Sequence, residues 1–260
     1  MMLDRASSRR TRDRSQEDPM TTASPTPTIE VRRAASRGHT DIGWLDSRHS
    51  FSFGSYRDQR NTGHGLLIVN NDDRVAPAKG FGTHPHRDME IVTWVLAGEV
   101  EHADNMGNHG VIRPGLAQRM TAGTGIEHSE FNPDPDIETH LVQMWVLPDT
   151  AGLEPGYEQV DVTDRLEQGG LVLIAGGLDT DAAIHINQRD ASMSVGRLQP
   201  DEAVLIPDAP HVHVFLAIGE ADLVGVGALG QGDAVRLTQG GTPLLTAGPE
   251  GAEIIVWATA

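Results

Sequence analysis

Two short stretches of this chain place metal-ligating side chains two residues apart. His84-Pro85-His86 lies in GFGTHPHRDMEIVTW, and His128-Ser129-Glu130 lies in MTAGTGIEHSEFN. In a β-strand, residues i and i+2 point to the same side, roughly 6.5–7 Å apart along the chain. Each pair can therefore aim two ligands at one spot. Two such strands side by side would bring three imidazoles and one carboxylate together, within reach of an ion held at about 2.1 Å. A lone H-x-H often lies on a solvated face. Two ligand-type pairs, each beside Gly-rich turns, favour the metal reading over that alternative. Pro85 lacks an N–H and belongs at an edge or an irregular strand start. Its ring would point outward while both histidines point in.

The rest of the inventory narrows the chemistry. There are 12 histidines and no cysteine. A thiol nucleophile, a disulfide, an iron–sulfur cluster and a cysteine zinc site are excluded, so any metal is held by nitrogen and oxygen. Three His and one Glu leave two positions open on an octahedral ion, as a metal oxygenase needs for substrate oxygen and O₂. This donor set suits iron, manganese, cobalt, nickel, copper or zinc, and geometry alone does not choose. No G-x-x-x-x-G-K-[ST] stretch competes, and no G-x-S-x-G elbow is present.

The elements that must position these ligands read as strands. The 260 residues carry 29 Gly, 15 Pro and few aromatics, a composition of tight turns around an aliphatic core. HGLLIVNNDD (64–73), MEIVTWVLAGEVEH (89–102, two strands about Ala97-Gly98), NHGVIRPG (108–115) and THLVQMWVLPD (139–149) are apolar runs closed by turn residues. LVLIAGG (171–177), AAIHIN (182–187), ASMSVGRLQP (191–200), EAVLIP (202–207), HVFLAIGEADLVG (213–225) and EIIVWA (253–258) follow. No helical apolar stripe stands out, so an all-β sandwich or barrel is expected. LAGEVEH (96–102) and AIGEADL (217–223) both set Gly-Glu between β runs, which suggests a duplicated barrel breaking near 148–160. A single larger β domain is the alternative.

Residues 1–28, with five Arg, four acids and the run TTASPTPT, read as a disordered N-terminal tail, and Met20 is an alternative start to Met1. The net charge of −17 argues against direct nucleic-acid contact. No apolar run approaches about 18 residues, so no membrane span is expected. The compartment expected by default is the bacterial cytoplasm, and the expected state is a monomer.

The sequence resembles the pirin family of the cupin superfamily, especially its bacterial quercetin 2,3-dioxygenase-like members. The matching stretches are FSFGSYRD (51–58), GFGTHPHRDMEIVTWVLAGEVEHADNMGN (80–108) and GVIRPGLAQRMTAGTGIEHSEFN (110–132), and the likeness is densest over 31–150. It implies a bicupin, two β-barrel (double-stranded β-helix or jelly-roll) domains. These would be a metal-binding N-terminal cupin at 29–150 and a C-terminal cupin without metal at 151–260. It implies the ligand set His84, His86, His128 and Glu130, usually holding Fe(II). In the general cupin pattern a glutamate soon after H-x-H is a ligand, and Glu90 stands there. In the pirin pattern the carboxylate comes instead from Glu130, so Glu90 is expected elsewhere in the strand network. By strand parity it shares a face with His84 and His86, which leaves a place behind the ligands or as a fifth ligand as the alternative.

The resemblance implies flavonol oxidation. The metal would bind the substrate's 3-hydroxyl and lower its pKa, with Glu130 as candidate general base. O₂ would then open the heterocyclic ring and release carbon monoxide. An iron-binding regulator acting through a protein partner, and a metal-dependent cupin enzyme on another substrate, are the alternatives.

Other histidines have blander readings. His211-Val212-His213 ends only six residues before Gly219, whereas His86 precedes Gly98 by 12. The equivalent ligand places are Leu205 and Pro207. His211 and His213 are therefore expected at a pocket rim or on the surface. His102, Asp104 and His109 are expected in loop hydrogen bonds, and His140 in the core. Met120, Met144 and Trp145 are candidates to line an apolar cavity above the metal.

Overall fold

A computed structural model describes residues 27–260. The expected tail at 1–28 thus lies almost wholly outside the described residues, and Thr28 already belongs to a strand. The first strands are β1 (Thr28–Arg32), β2 (Gly38–Asp41), β3 (Leu45–His49), β4 (Leu67–Val75), β5 (Gly80–His86), β6 (Glu90–Ala97) and β7 (Val100–Asp104). Then come β8 (His109–Ile112), β9 (Leu116–Thr121), β10 (Ile126–Phe131), β11 (Thr139–Val146) and β12 (Gly156–Asp161). After a one-turn helix, α1 (Thr163–Leu166), the chain forms β13 (Val172–Gly176), β14 (Ile184–His185), β15 (Ala191–Leu198) and β16 (Ala203–Leu205). It ends in β17 (His211–Leu223), β18 (Gly227–Gly230), β19 (Ala234–Thr238) and β20 (Leu244–Thr259). The all-β expectation holds. Among the described residues no helix is long and apolar enough to cross a membrane.

The N-terminal half is built from two facing sheets, one in the order β12-β9-β6-β11-β4-β3-β2 and one in the order β5-β10-β7-β8. The C-terminal half is a single sheet, β1-β19-β17-β20-β15-β13-β14, with β16 on β20 and β18 on β17. Register shifts at Leu216/Ile218 and Gly219/Ala221 interrupt the long β17–β20 ladder. Bulges bend a strand and increase its twist, which lets one sheet curl around its own core.

Strand exchange ties the halves together across the expected division at 150. β1 pairs with β19 of the C-terminal sheet, and β12 pairs with β9 of the N-terminal one. Between them lies a shared core. Trp94, Val142 and Met144 pack in one cluster with Phe215, Ile255 and Trp257. The indole of Trp94 donates to Glu253 Oε1 at 2.7 Å, and that of Trp257 to Met144 Sδ at 3.1 Å.

The two barrels are filled differently. The C-terminal one is packed with Leu198, Ile206, Val214, Leu216, Leu223, Leu237 and Leu245. In the N-terminal one, smaller apolar clusters flank a cavity of about 470 Å³ between its two sheets.

Candidate metal centre

β5 and β10 carry the two ligand pairs and are hydrogen-bonded neighbours. His84 stands opposite His128, and His86 opposite Ile126. β10 enters from a tight turn in which Gly123 has φ +46° and Gly125 φ +136°. A Cβ on Gly123 would run into the Leu153 carbonyl, so the turn feeding the ligand strand needs glycine both for its backbone angle and for its space.

Between His128 and Glu130 the register shifts: two steps on β10 match three on β5. The extra residue bulges β5 near Gly82, and bulges re-aim neighbouring side chains. Here the bulge places the Gly82 carbonyl 2.8 Å from His84 Nδ1.

The three imidazoles converge. Ring centroids are 4.4 Å apart for His84–His128 and 4.9 Å for both His84–His86 and His86–His128. One nitrogen from each lies within 4.8 Å of the others. A second set within the same limit is His102, His128 and Glu130, all buried. His128 alone belongs to both sets: it stands between the outer pair, His84 and His86, and the inner residues, His102 and Glu130.

The hydrogen bonds fix which nitrogens are free. A backbone carbonyl only accepts, so His84 Nδ1 donates to Gly82 and its Nε2 keeps the lone pair. Asp104 Oδ2 lies 3.3 Å from His102 Nε2. Burial alone would raise the Asp104 carboxyl, but hydrogen bonds from Asn108, Met106 and His102 hold it below its ordinary value. As a carboxylate it accepts, so His102 donates from Nε2. His102 Nδ1 is then the acceptor for His128 Nδ1–H at 3.4 Å. His128 Nε2 is left as a bare lone pair, buried and without a partner among the described residues.

Burial, with charge repulsion second, keeps His86 and His128 neutral. Burial first, then His128 and His84, lower His86 to about 4. Burial, His84 and His102 lower His128 to about 3. An orphaned buried nitrogen costs free energy unless something binds it. Nitrogen donors in this state fit a first-row divalent cation.

Glu130 is buried and accepts from its neighbours. Gln143 Nε2 lies 2.9 Å from Oε1 and 2.8 Å from Oε2, and Thr93 Oγ1 lies 3.4 Å from Oε1. Trp145 Nε1 donates to Gln143 Oε1 at 3.1 Å, which orients the amide. Trp145 also meets His86 edge-on at 5.0 Å and Phe53 at 5.5 Å. Trp44 and Phe81 line the same cavity. The site is thus a cluster of imidazole nitrogens and one carboxylate at the wall of an aromatic-sided cavity.

Several expectations need correction. For Glu90 it is the alternative, a place behind the histidines, that falls: the residue lies elsewhere in the strand network, as expected. It is buried at the junction of the halves, where Thr121 Oγ1 and Asn187 Nδ2 donate to it at 2.9 and 3.1 Å. Strand parity from His86 fails because β5 ends there and Asp88 takes φ +48° before β6 begins. His102 is not a loop residue: it lies on β7, fully buried, opposite Glu130. Asp104 does accept turn N–H groups from Met106 and Asn108, and His109 is an exposed partner of Glu101. His140 is buried against Asp72 at 2.6 Å. Trp145 lines the cavity, but Met120 and Met144 are buried in apolar clusters instead. His213 is buried, not at a rim. Phe215, two residues on along the same strand, packs in the shared core between the halves, and Phe51 lies 5.6 Å from the His213 ring. Only His211 stays partly exposed, 3.0 Å from the Ala260 carbonyl.

Comparison with known proteins agrees with this geometry. The sequence profile of the pirin family matches residues 29–146. A Mycobacterium tuberculosis protein named "Putative quercetin 2,3-dioxygenase Rv0181c" is 53% identical over 233 residues, covering 89% of this chain and 95% of the relative. The chain belongs to the pirin family. Quercetin 2,3-dioxygenase of Escherichia coli K12 is 42% identical over 202 residues, covering 77% of this chain and 86% of that one. The crystal structure of the bacterial pirin YhhW from Escherichia coli in complex with nickel(II) superposes with a TM-score of 0.81 at 35% identity, covering 89% of this chain and 99% of that one. As a pirin, the chain has the bicupin fold.

Proposed function

We propose that this pirin is a metal-dependent dioxygenase that opens the heterocyclic ring of flavonols with O₂ and releases carbon monoxide. His84, His86, His128 and Glu130 are the proposed ligands, and Fe(II) the proposed ion. The observation that carries the reading is the lone pair of His128 Nε2, buried and unpartnered among the described residues, beside two more imidazoles at the wall of an aromatic-sided cavity. The names of the relatives and the nickel complex of YhhW support it.

When bound, the cation supplies a Lewis acid that acidifies a substrate hydroxyl and brings O₂ beside it. The chain's own part is positional and basic. Trp145, Phe53, Trp44 and Phe81 hold a planar aromatic ring and exclude water. Glu130, fixed by Gln143, takes the proton of the substrate's 3-hydroxyl onto a carboxylate oxygen. Gln143, buttressed by Trp145, keeps that oxygen from rotating away.

Iron-loaded protein incubated with quercetin and O₂ tests this. Loss of flavonol absorbance with carbon monoxide release is expected. Glu130→Gln should slow it by about 10²-fold or more, the usual scale for a positioned base. Tight metal binding without flavonol consumption would overturn the reading.

A further inference from the structure

Two rows of side chains cross the wall of the cavity that β3, β4, β11 and β6 form. The first is His49, Asn71, Gln143 and Thr93, each opposite the next across the strands. Its polar groups are spoken for: His49 Nδ1 meets Asn71 Oδ1 at 2.8 Å, and Gln143 and Thr93 hold Glu130. The second row, two residues farther along β4, is Ser47, Asp73, Leu141 and Val95. Same-face neighbours on a strand are about 7 Å apart. Asp73 therefore stands one step beyond the row that holds Glu130, in the same cavity.

Asp73 is 5% exposed. Among the described residues its one side-chain partner is Ser47, whose hydroxyl donates to Oδ1. No cation faces it at bonding distance, and its other row neighbours are Leu141 and Val95. The contrast with the adjacent Asp72 is sharp. Asp72, on the other face of β4, is paired with Arg37 at 3.2 Å and with His140 at 2.6 Å. A buried carboxyl with a single hydrogen bond costs free energy that a cross-strand stitch does not require. Burial above all, with Asp72 and Glu130 nearby, pushes Asp73 up to about 7. Near neutral pH such a group both donates and accepts.

We propose that Asp73 is a specificity residue: its carboxyl hydrogen-bonds a hydroxyl on the ring of the substrate remote from Glu130, so that the site selects polyhydroxylated over singly hydroxylated flavonols. The proposal rests on the flavonol reading above. One end of the substrate is held at the histidine cluster and the other at Asp73, with the aromatic walls between them.

Binding without turnover separates the two ideas. Nickel-loaded protein is titrated anaerobically with quercetin, and separately with 3-hydroxyflavone, which keeps only the hydroxyl beside the carbonyl. Flavonol absorbance or fluorescence is the readout. Wild type is expected to bind quercetin at least tenfold more tightly. Asp73→Leu should erase that preference and leave 3-hydroxyflavone within about twofold, while Asp73→Asn, which keeps a hydrogen-bonding amide, should retain most of it. A wild type without preference overturns the role of Asp73, even if the Leu variant fails to fold. So does an Asp73→Leu variant that keeps the preference or weakens both ligands equally. If wild type binds neither flavonol, the dioxygenase reading falls and takes this proposal with it.

Discussion

His128 and His102 face each other through their Nδ1 atoms, 3.4 Å apart. One ring has to donate and the other accept, and Asp104 decides which. Because Asp104 takes the Nε2 proton of His102 in a hydrogen bond, His128 must present Nε2 outward. A three-residue chain on β7 and β10 thus sets the tautomer of the most buried candidate ligand. Groups that orient a metal-bound histidine in this way are worth about 10–100-fold in metal affinity. His102→Ala is expected to weaken nickel or iron binding by that factor, with the circular dichroism spectrum unchanged. Calorimetric titration reads it directly. Unaltered affinity would mean that His128 needs no help from behind.

The Gln143 amide nitrogen donates to both oxygens of one carboxylate, and its own oxygen is held by Trp145. Gln143→Leu would leave buried Glu130 short of donors. Such a loss costs roughly 1–3 kcal/mol in an apoprotein. A bound cation would offset part of it. The expected result is therefore a larger drop in urea stability without metal than with it. Equal drops in the two states would show that Glu130 does not contact the metal.

The ligand pairs were legible because a period of two places i and i+2 on one face whatever surrounds them. Their strands, and the apolar runs at 89–102 and 139–149, appear where they were expected. β3, with LDSRH, escaped notice for a physical reason. Its inward residues Ser47 and His49 line a polar cavity, so burial there does not produce an apolar alternation. The same blindness hid Asp73 and Gln143, which look like ordinary surface residues in sequence. In sequence His102 looks like a loop residue because Gly98 and the Asp-Asn-Met-Gly run lie close on either side. Only pairing with β10 reveals that it faces Glu130. β1 and β12 were invisible as exchanged strands, since no local pattern says which sheet a strand will join.

Trp94 reaches from the N-terminal barrel to Glu253 of the C-terminal one. Glu253 is also paired with Arg197 at 2.9 Å. Trp94→Phe keeps most of the apolar surface and removes the donor, so the carboxylate keeps Arg197 but loses its indole partner. A destabilisation of about 1–3 kcal/mol is expected. It should appear as one cooperative transition, because the core is shared across both halves. Two separate transitions in a calorimetric scan would mean that the barrels unfold independently.

His213 should make the fold acid-sensitive from outside the metal centre. Its ring is buried, and among the described residues neither nitrogen has a partner. Burial, then Arg236, His64 and Arg37, hold it well below its ordinary value of 6.5. The sign follows from proton counting. Below pH 6.5 the unfolded chain takes up a proton at this residue and the native fold does not, so stability rises with pH up to that point and is lost as pH falls beneath it. One such group changes the slope by up to about 1.4 kcal/mol per pH unit. Between pH 7.0 and 5.5, wild type should therefore lose about 1 kcal/mol more than His213→Leu, which has nothing to protonate there. Urea melts of the metal-free protein at the two pH values measure the difference. Parallel losses in wild type and variant would place the proton uptake on another histidine.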